Sequence, residues 1–279
     1  MVAGTPSYFD LMANVTPIYF LFAVFVFGAV VGSFLNVCIV RLPKGESLIV
    51  PPSHCPYCEA SIPFYDNIPL ISYLVLTGCC RFCREKISPR YFVVELLMAL
   101  FAVALWLRFG FGITFLVAFI FVAALIVISF IDLDVRIVPD VISLPGIGVG
   151  LLISAVIGLW SVAPPPAIPN PLSSLFGILL GGGILLLVAW GYQFLTGREG
   201  MGGGDVKLLA MIGAFLGWPA VPVTLFFASL AGSLVGLVLI AKKGVGVKYA
   251  LPFAPFLCMG AIFHLFFGEE IIAFYLLLD

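Results

Sequence analysis

The chain has 279 residues, of which 63% are hydrophobic and only 10% are charged. This composition excludes a soluble globular domain and predicts an all-α polytopic membrane protein. The formal net charge of −1 is uninformative by itself, and we expect no nucleic-acid partner. With roughly 20 apolar residues per span, we predict about eight transmembrane helices, at residues 15–39, 91–109, 111–131, 141–161, 172–196, 207–219, 221–241 and 250–268. The sixth is short, and it could instead form one broken helix with the seventh.

The distribution of basic residues predicts how these helices are oriented. If the spans alternate in direction, all of the 13 Lys and Arg residues except Arg108 fall on the same side of the membrane. The positive-inside rule makes that side the cytoplasm. We therefore expect the N-terminus and the Pro-rich 163–171 loop to lie outside.

The only sizeable polar stretch covers residues 40–90 and separates the first two helices. We interpret it as a small cytoplasmic subdomain, called the cysteine subdomain below. Its inner segment 68–76 is apolar but too short to span a bilayer, so we expect it to pack on the membrane face or on the subdomain itself. The predicted organisation is an outer N-terminus with the first helix (1–39), the cysteine subdomain (40–90) and a transmembrane domain (91–279).

The cysteine subdomain contains two C-x-x-C pairs separated by 21 residues, a spacing typical of a zinc site. The four candidate ligands are Cys55, Cys58, Cys80 and Cys83. Four thiolates favour a tetrahedral, structural Zn²⁺, and a subdomain of this size needs such a cross-link to fold. Two disulfides are the alternative, which a reducing cytoplasm disfavours. Cys79 and His54 are weaker candidate ligands.

Three aspartates follow the third predicted helix. Asp132 comes directly after the apolar segment and is nearest to the bilayer, where an ionisable group is usually functional. We assign Asp140, which follows a proline and precedes a helix, to helix capping. Asp134 is assigned to solvent or to a pair with Arg136.

A fourth aspartate, Asp205, follows a run of three glycines, Gly202, Gly203 and Gly204, in the segment GMGGGDVK at residues 200–207. Glycines without Cβ atoms leave room for a second backbone, so we expect these glycines and Lys207 to lie next to a peptide substrate. Asp205 and Asp132 belong to the same membrane boundary and meet if the third and sixth helices pack together. Two such carboxylates share a proton, and can cleave a peptide bond with one acting as base and the other as acid.

Several further blocks surround these residues. They are Gly32-Ser33-Phe34-Leu35-Asn36-Val37 with Arg41-Leu42-Pro43; the cysteine pairs with Asp66-Asn67-Ile68-Pro69 and Ile87-Ser88-Pro89-Arg90-Tyr91 and Glu95; Asp132 with Pro139-Asp140; Gly202-Gly203-Gly204-Asp205 with Lys207; and Pro252-Phe253 with Pro255. In this order, the blocks resemble the type IV prepilin peptidases. These are GxGD-class aspartic proteases of the bacterial inner membrane that serve type IV pilus assembly and type II secretion.

The resemblance implies a bifunctional enzyme with its active site towards the cytoplasm. Such an enzyme removes the basic leader of prepilins or pseudopilins after a glycine, and then methylates the new N-terminal residue with S-adenosylmethionine. By motif matching, Asp132 and Asp205 are the catalytic residues, the four cysteines bind the metal, and the cysteine subdomain is associated with methylation. No residue of this chain is assigned to S-adenosylmethionine. The chain departs from the family pattern at Cys79, where a basic residue is common, and at Ala254, where glycine is frequent.

Two other classes of protein have similar features. A proton- or cation-coupled transporter also carries intramembrane carboxylates, but it should show inverted repeats and acids at mid-membrane. A non-catalytic scaffold would use the cysteine subdomain to bind a partner. Cleavage of a prepilin distinguishes the peptidase from both of these alternatives.

Overall fold

The computed structural model of this protein describes residues 17–160, 167–197, 202–243 and 251–276. The predicted outer N-terminus, Arg198 and residues 163–166 of the 163–171 loop lie outside these ranges. Within them the protein is α-helical, with only two isolated β-bridges and no strand, as predicted. The α-helices of the described residues are α1 (Ile18–Arg41), α2 (Ile71–Val75), α3 (Arg90–Phe109), α4 (Ile113–Val135), α5 (Asp140–Trp160), α6 (Pro171–Thr196), α7 (Gly203–Leu216), α8 (Ala220–Lys243) and α9 (Ala254–Leu276).

Seven of these helices, all except α2 and α7, are long and apolar enough to cross a membrane, counted over the described ranges. A bilayer offers no hydrogen-bond partners to the backbone, and a helix satisfies its own amide and carbonyl groups along the whole span. The protein is therefore a multi-pass membrane protein.

The predicted sixth helix is the short helix α7, which has 14 residues. At 1.5 Å per residue it is about 21 Å long, which is less than the roughly 30 Å of a hydrocarbon core. Every residue from Leu208 to Phe215 is buried, because α5, α6, α8 and α9 pack around α7. Gly217, with φ +80°, ends α7 before α8 begins, so the two are separate helices and not one broken helix.

Helix α4 extends further than predicted. The sequence placed Asp132 just after a helix that ends near residue 131, whereas α4 continues to Val135 and carries Asp132 in its last turn. Arg136 then adopts a left-handed backbone, with φ +57°, and its N–H donates to the Asp132 carbonyl over 2.9 Å. Left-handed residues of this kind commonly terminate helices.

The described residues form two compact units, and the first contains those up to Val127. Within it α1 packs closely on α3 through two glycines, Gly28 and Gly32. A Cβ atom at Gly28 would lie only 2.7 Å from the Cβ of Ala102. Small residues at this spacing let membrane helices approach each other.

Arg41 lies at the end of α1, where the cysteine subdomain begins, and its side chain bonds the backbone of the following loop. It is only 9% exposed, and its guanidinium donates to the carbonyls of Ser47, at 2.9 Å, and Pro51, at 2.7 Å. A fixed fork of donors is well suited to hold two carbonyls of one loop. The side chain therefore anchors residues 47–51 to the end of α1.

The second unit covers Ile128–Asp279 and is built around α7. Helix α6 approaches α7 through Gly177 and Gly181, where an added Cβ would collide with the α7 backbone at Gly213 and Leu209 respectively. The close packing predicted for the glycines at 181–183 is confirmed for Gly181. Within the described part of the chain, no atom lies within 4 Å of a Cβ built at Gly183.

Candidate active site and metal centre

Asp132 is buried at the end of α4, where it is 6% exposed. Its Oδ2 accepts a hydrogen bond of 3.2 Å from the backbone N–H of Ala254, the first residue of α9. The first amides of a helix have no partner within it, and they carry the positive end of the helix dipole. The start of α9 therefore orients Asp132 and offsets part of the cost of burying a negative charge there.

Asp205 is the third residue of α7 and is partly buried. The N-cap of this helix is Gly202, so Asp205 lies in the first turn and is not the cap. Burial, and then the negative charge of Asp132, raise the pKa of the Asp205 carboxyl to about 6. This second cause means that the structure brings the two predicted carboxylates into electrostatic interaction within one unit.

The three glycines before Asp205 have different surroundings. A Cβ at Gly204 would lie 2.8 Å from the Cβ of Val138, so this glycine allows the start of α7 to approach the segment between α4 and α5. Gly202 and Gly203 are exposed, and no atom of the described residues lies within 4 Å of an added Cβ. A second backbone therefore has access to the chain at these two glycines.

Two further acidic residues, Asp140 and Asp134, belong to the same boundary. Asp140 is the first residue of α5, and both its carboxylate oxygens accept hydrogen bonds from Lys207 Nζ, at 2.7 and 2.8 Å. Its role is thus an ion pair that joins the starts of α5 and α7, and the predicted capping role is wrong. Asp134 is exposed on the last turn of α4.

Two residues of α9 near the carboxylates were not assigned a role from the sequence. One is Ala254, whose N–H reaches Asp132. The other is Cys258, one turn further, which is 2% exposed, hydrogen-bonds Ser129 and interacts electrostatically with both aspartates. Pro252 and Pro255 on either side of Ala254 were a usable signal, because proline is favoured in the first turn of a helix.

The four cysteines of the two C-x-x-C pairs converge on one point. Their sulfur atoms all lie within 4.8 Å of one another, with Cys55 Sγ 3.8 Å from Cys83 Sγ and Cys58 Sγ 4.0 Å from Cys80 Sγ. A tetrahedral Zn²⁺ with ligands at about 2.3 Å needs sulfur atoms about 3.8 Å apart. The cluster thus fits a tetrahedral zinc ion, and none of the seven cysteines forms a disulfide.

The two pairs are built as copies of one local motif. In each, the amide of the first cysteine bonds a carbonyl five residues later, at Ala60 or Glu85. The residue after the second cysteine has a positive φ, +56° at Glu59 and +60° at Arg84. Backbone amides of the second pair also donate to the Cys80 thiol, which lowers its pKa to about 7 and favours the thiolate that binds metals.

The alternative ligands lie outside the cluster. Cys79 Sγ contacts the carbonyl of Thr77 at 3.6 Å, and His54 Nδ1 lies 3.1 Å from the carbonyl of Pro52. Arg81, between Cys80 and Cys83, forms a bidentate pair with Asp66, at 2.5 and 2.6 Å, and lowers the pKa of that carboxyl. This ion pair joins the second C-x-x-C pair to the segment that precedes α2.

The fold and these sites define a multi-pass membrane protein with one buried and one partly buried carboxylate at helix ends, and with a separate four-cysteine cluster. Residues 26–109 match the bacterial peptidase A24 N-terminal domain, and residues 119–237 match the type IV leader peptidase family. The chain belongs to this family. The predicted family and the predicted class of enzyme, a membrane-embedded peptidase, are thereby confirmed.

Curated relatives match over almost their whole length. A protein of Aeromonas hydrophila is 36% identical, over 95% of this chain and 97% of its own. One of Pseudomonas putida is 35% identical, over 92% and 94%, and one of Burkholderia pseudomallei is 36% identical, over 91% and 86%. All three are named prepilin leader peptidase/N-methyltransferase. No solved structure matches the chain.

Proposed function

We propose that this chain removes the basic leader of type IV prepilins or pseudopilins and then methylates the new N-terminal residue. The names of the relatives support both activities. The observation that carries the peptidase is the electrostatic interaction between Asp132 and Asp205, which belong to different helices and are 73 residues apart in the sequence. Neither the transporter nor the scaffold accounts for an interacting pair at the ends of helices.

In the proposed cleavage, Asp205 carries the shared proton and Asp132 is ionised. The raised pKa of Asp205 supports the first assignment, and the hydrogen bond from Ala254 supports the second. Asp132 accepts a proton from water as the water oxygen attacks the scissile carbonyl carbon. Asp205 donates its proton to the leaving nitrogen as the carbon–nitrogen bond breaks. The pair titrates as a unit, so apparent pKa values belong to both carboxyls.

The substrate is proposed to enter at the open glycines. The scissile bond must leave its helix before water can attack it, since a helical carbonyl is already hydrogen-bonded. Gly202 and Gly203 are exposed and have space for an extended segment beside them. A basic leader stays in the cytoplasm by the positive-inside rule, which also orients this chain. We therefore propose an inner-membrane enzyme with its active site towards the cytoplasm.

We propose that residues 40–90 serve the methyl transfer and that their four cysteines hold a structural Zn²⁺. The sulfur–sulfur distances of 3.8 and 4.0 Å support a closed tetrahedral site. Such a site leaves no open position for a substrate, so the metal would stabilise the subdomain. S-adenosylmethionine, when bound, would supply the methyl group for the amine that cleavage releases.

Substitution of each aspartate tests the peptidase. Asp132→Asn and Asp205→Asn should each reduce prepilin cleavage by about 10³-fold or more, because each removes one partner of an acid–base pair. Asp134→Asn is the matched control, because Asp134 is an exposed aspartate on the same helical turn as Asp132. Mass spectrometry of the pilin N-terminus reports the cut position and the methyl group together. Intact cleavage in either of the first two variants contradicts the proposal.

A further inference from the structure

The short helix α2 of the cysteine subdomain contacts the first turns of the membrane-spanning helix α3. The N–H of Leu70, directly before α2, donates to Glu95 Oε2 over 2.8 Å. Glu95 is five residues beyond Arg90, the start of the membrane-spanning helix α3. At 1.5 Å per residue this is about 7 to 8 Å into the span. The ring of Tyr73, within α2, also packs on Phe92 of α3, with centroids 5.5 Å apart.

The polarity of α2 is inverted relative to that of a helix on a water-soluble domain. Its polar side chains, Ser72 and Tyr73, form hydrogen bonds with backbone groups of the same subdomain. Ser72 Oγ accepts from the Ile68 N–H and donates to the Tyr65 carbonyl, and the Tyr73 hydroxyl donates to the Ile87 carbonyl. Its apolar side chains point outwards, and they are the exposed Ile71 (58%), Leu74 (63%) and Val75 (71%). A surface helix next to water shows the opposite arrangement.

The backbone before α2 is arranged as a nonpolar layer requires. Leu70 has φ +62°, and the Ile71 N–H bonds the Pro69 carbonyl in a tight turn. The Leu70 amide at this turn is paired with the buried Glu95, which is 8% exposed. An unpaired amide at this depth would be costly, because lipid offers it no acceptor. A carboxylate inside the first turns of α3 is otherwise expensive in a membrane, and this contact gives it a role.

We propose that Ile71, Leu74 and Val75 of α2 insert into the acyl-chain boundary of the bilayer, so that α2 anchors the cysteine subdomain to the membrane surface. The occupant is lipid, because Leu70 and Tyr73, which lie next to these exposed side chains, contact Glu95 and Phe92 in the first turns of the membrane-spanning helix α3. Arg90, at the start of α3, and the exposed Arg84 and Lys86 precede Glu95 in the chain, and cations at this end of a membrane-spanning helix attract anionic lipid headgroups. The anchor limits how far the subdomain can move from the ends of α1 and α3.

Site-specific photo-crosslinking to lipid tests the proposal in the full chain. The benzophenone amino acid p-benzoylphenylalanine replaces Leu74 in one variant and Val75 in a second, and the proteins are reconstituted in nanodiscs of phosphatidylethanolamine and phosphatidylglycerol. The control replaces Tyr57, an aromatic residue that is 67% exposed within the first C-x-x-C pair. After irradiation, intact-mass and peptide analysis measure the lipid adduct at each position.

We expect lipid adducts at positions 74 and 75 in at least about tenfold higher yield than at position 57, since benzophenone reacts with the C–H bonds that surround it in the acyl layer. Equal yields at the three positions overturn the proposal. So does a dominant crosslink from 74 and 75 to a second copy of the chain or to an added prepilin, since the face would then bind protein. The readout requires neither cleavage nor methyl transfer, so its outcome is independent of the proposed function.

Discussion

The two candidate sites of this protein are built in opposite ways. The cysteine cluster takes its four ligands from two copies of a local motif, within residues 55–83. The carboxylate site takes its groups from three helices, since Asp132 ends α4, Asp205 begins α7 and Ala254 begins α9. A local site depends on the geometry of short loops, whereas the carboxylate site depends on how whole helices pack. Substitutions should therefore act differently on the two sites.

The largest expected effect is on the cysteine cluster. Cys58→Ser should abolish binding of about one Zn²⁺ per chain and unfold the two C-x-x-C segments. The reason is that structural zinc contributes on the order of 10 kcal/mol to the folding free energy of small domains. Metal analysis of the purified protein measures the loss, and a methyl-transfer assay should show loss of that activity. Prepilin cleavage should persist, since the aspartates belong to the other unit.

The matched control for this change is Cys79→Ser, because Cys79 adjoins a ligand but lies outside the cluster. It should retain both zinc and methyl transfer. Equal loss of zinc in the two variants would contradict the four-cysteine assignment. Loss of cleavage in Cys58→Ser alone would show that the sites are coupled.

The next effect is a gain in stability on removing the Asp205 charge. Burial and Asp132 hold the pKa of Asp205 at about 6, above its unfolded value of about 4, so ionising it in the folded state costs on the order of 3 kcal/mol. The cost is absent below about pH 4, where the carboxyl is protonated in both states, and is complete above pH 6. Asp205→Asn should thus raise the unfolding midpoint at pH 8 but not at pH 4.

Thermal unfolding in detergent at both values of pH measures this difference. Asp134→Asn should show little pH-dependent gain, because Asp134 is exposed. An unfolding midpoint of Asp205→Asn that is unchanged at pH 8 would mean that the carboxyl is neither buried nor close to Asp132 in the folded protein.

A smaller effect is expected from the backbone of Ala254. Ala254→Pro removes the N–H that binds Asp132, while proline at the first helical position is compatible with α9. Loss of one hydrogen bond to a charged group costs about 1.5 to 3 kcal/mol, so cleavage should fall by roughly 10- to 100-fold. The acidic limb of the pH–rate profile should also move to higher pH, since this bond stabilises the ionised carboxylate.

Ala254→Gly keeps the N–H and is the control for this variant. It should keep the wild-type pH–rate profile, whatever it does to stability. A reduced rate in Ala254→Pro with an unchanged pH–rate profile would indicate a packing defect and not a lost hydrogen bond, and would sink the positioning role.

The smallest effect is expected at the ion pair between Lys207 and Asp140. Both side chains are partly exposed, at 36% and 56%, and such pairs contribute about 0.2 to 1 kcal/mol. Lys207→Ala should therefore slow cleavage by no more than about fivefold, and Asp140→Asn should have the same effect. The double variant should lose no more than either single variant. A much larger loss in Lys207→Ala alone would assign Lys207 to the substrate.

The local parts of the protein were predictable because short-range chemistry dictates them. The spacing of Cys55, Cys58, Cys80 and Cys83 predicts a tetrahedral site once the two C-x-x-C pairs come together. Apolar runs of about 20 residues predict membrane-spanning helices. The end of α4 was not predictable to within a turn. Asp132 and Asp134 are poor helix formers after an apolar run, but tertiary contacts around Asp132 keep this turn helical.

By itself, the sequence determined the helical membrane fold, the four cysteines that cluster and the two aspartates to be paired, because composition and local spacing carry that information. Only the tertiary structure decided which groups meet. In the tertiary structure α7 is a buried central helix, and the Ala254 N–H donates to Asp132. Asp140, which the sequence predicts to be a helix cap, pairs with Lys207. The apolar side chains of α2 also point outwards. A segment of five residues is too short for its hydrophobic periodicity to predict this orientation. These contacts join residues far apart in the chain, and packing between helices fixes them.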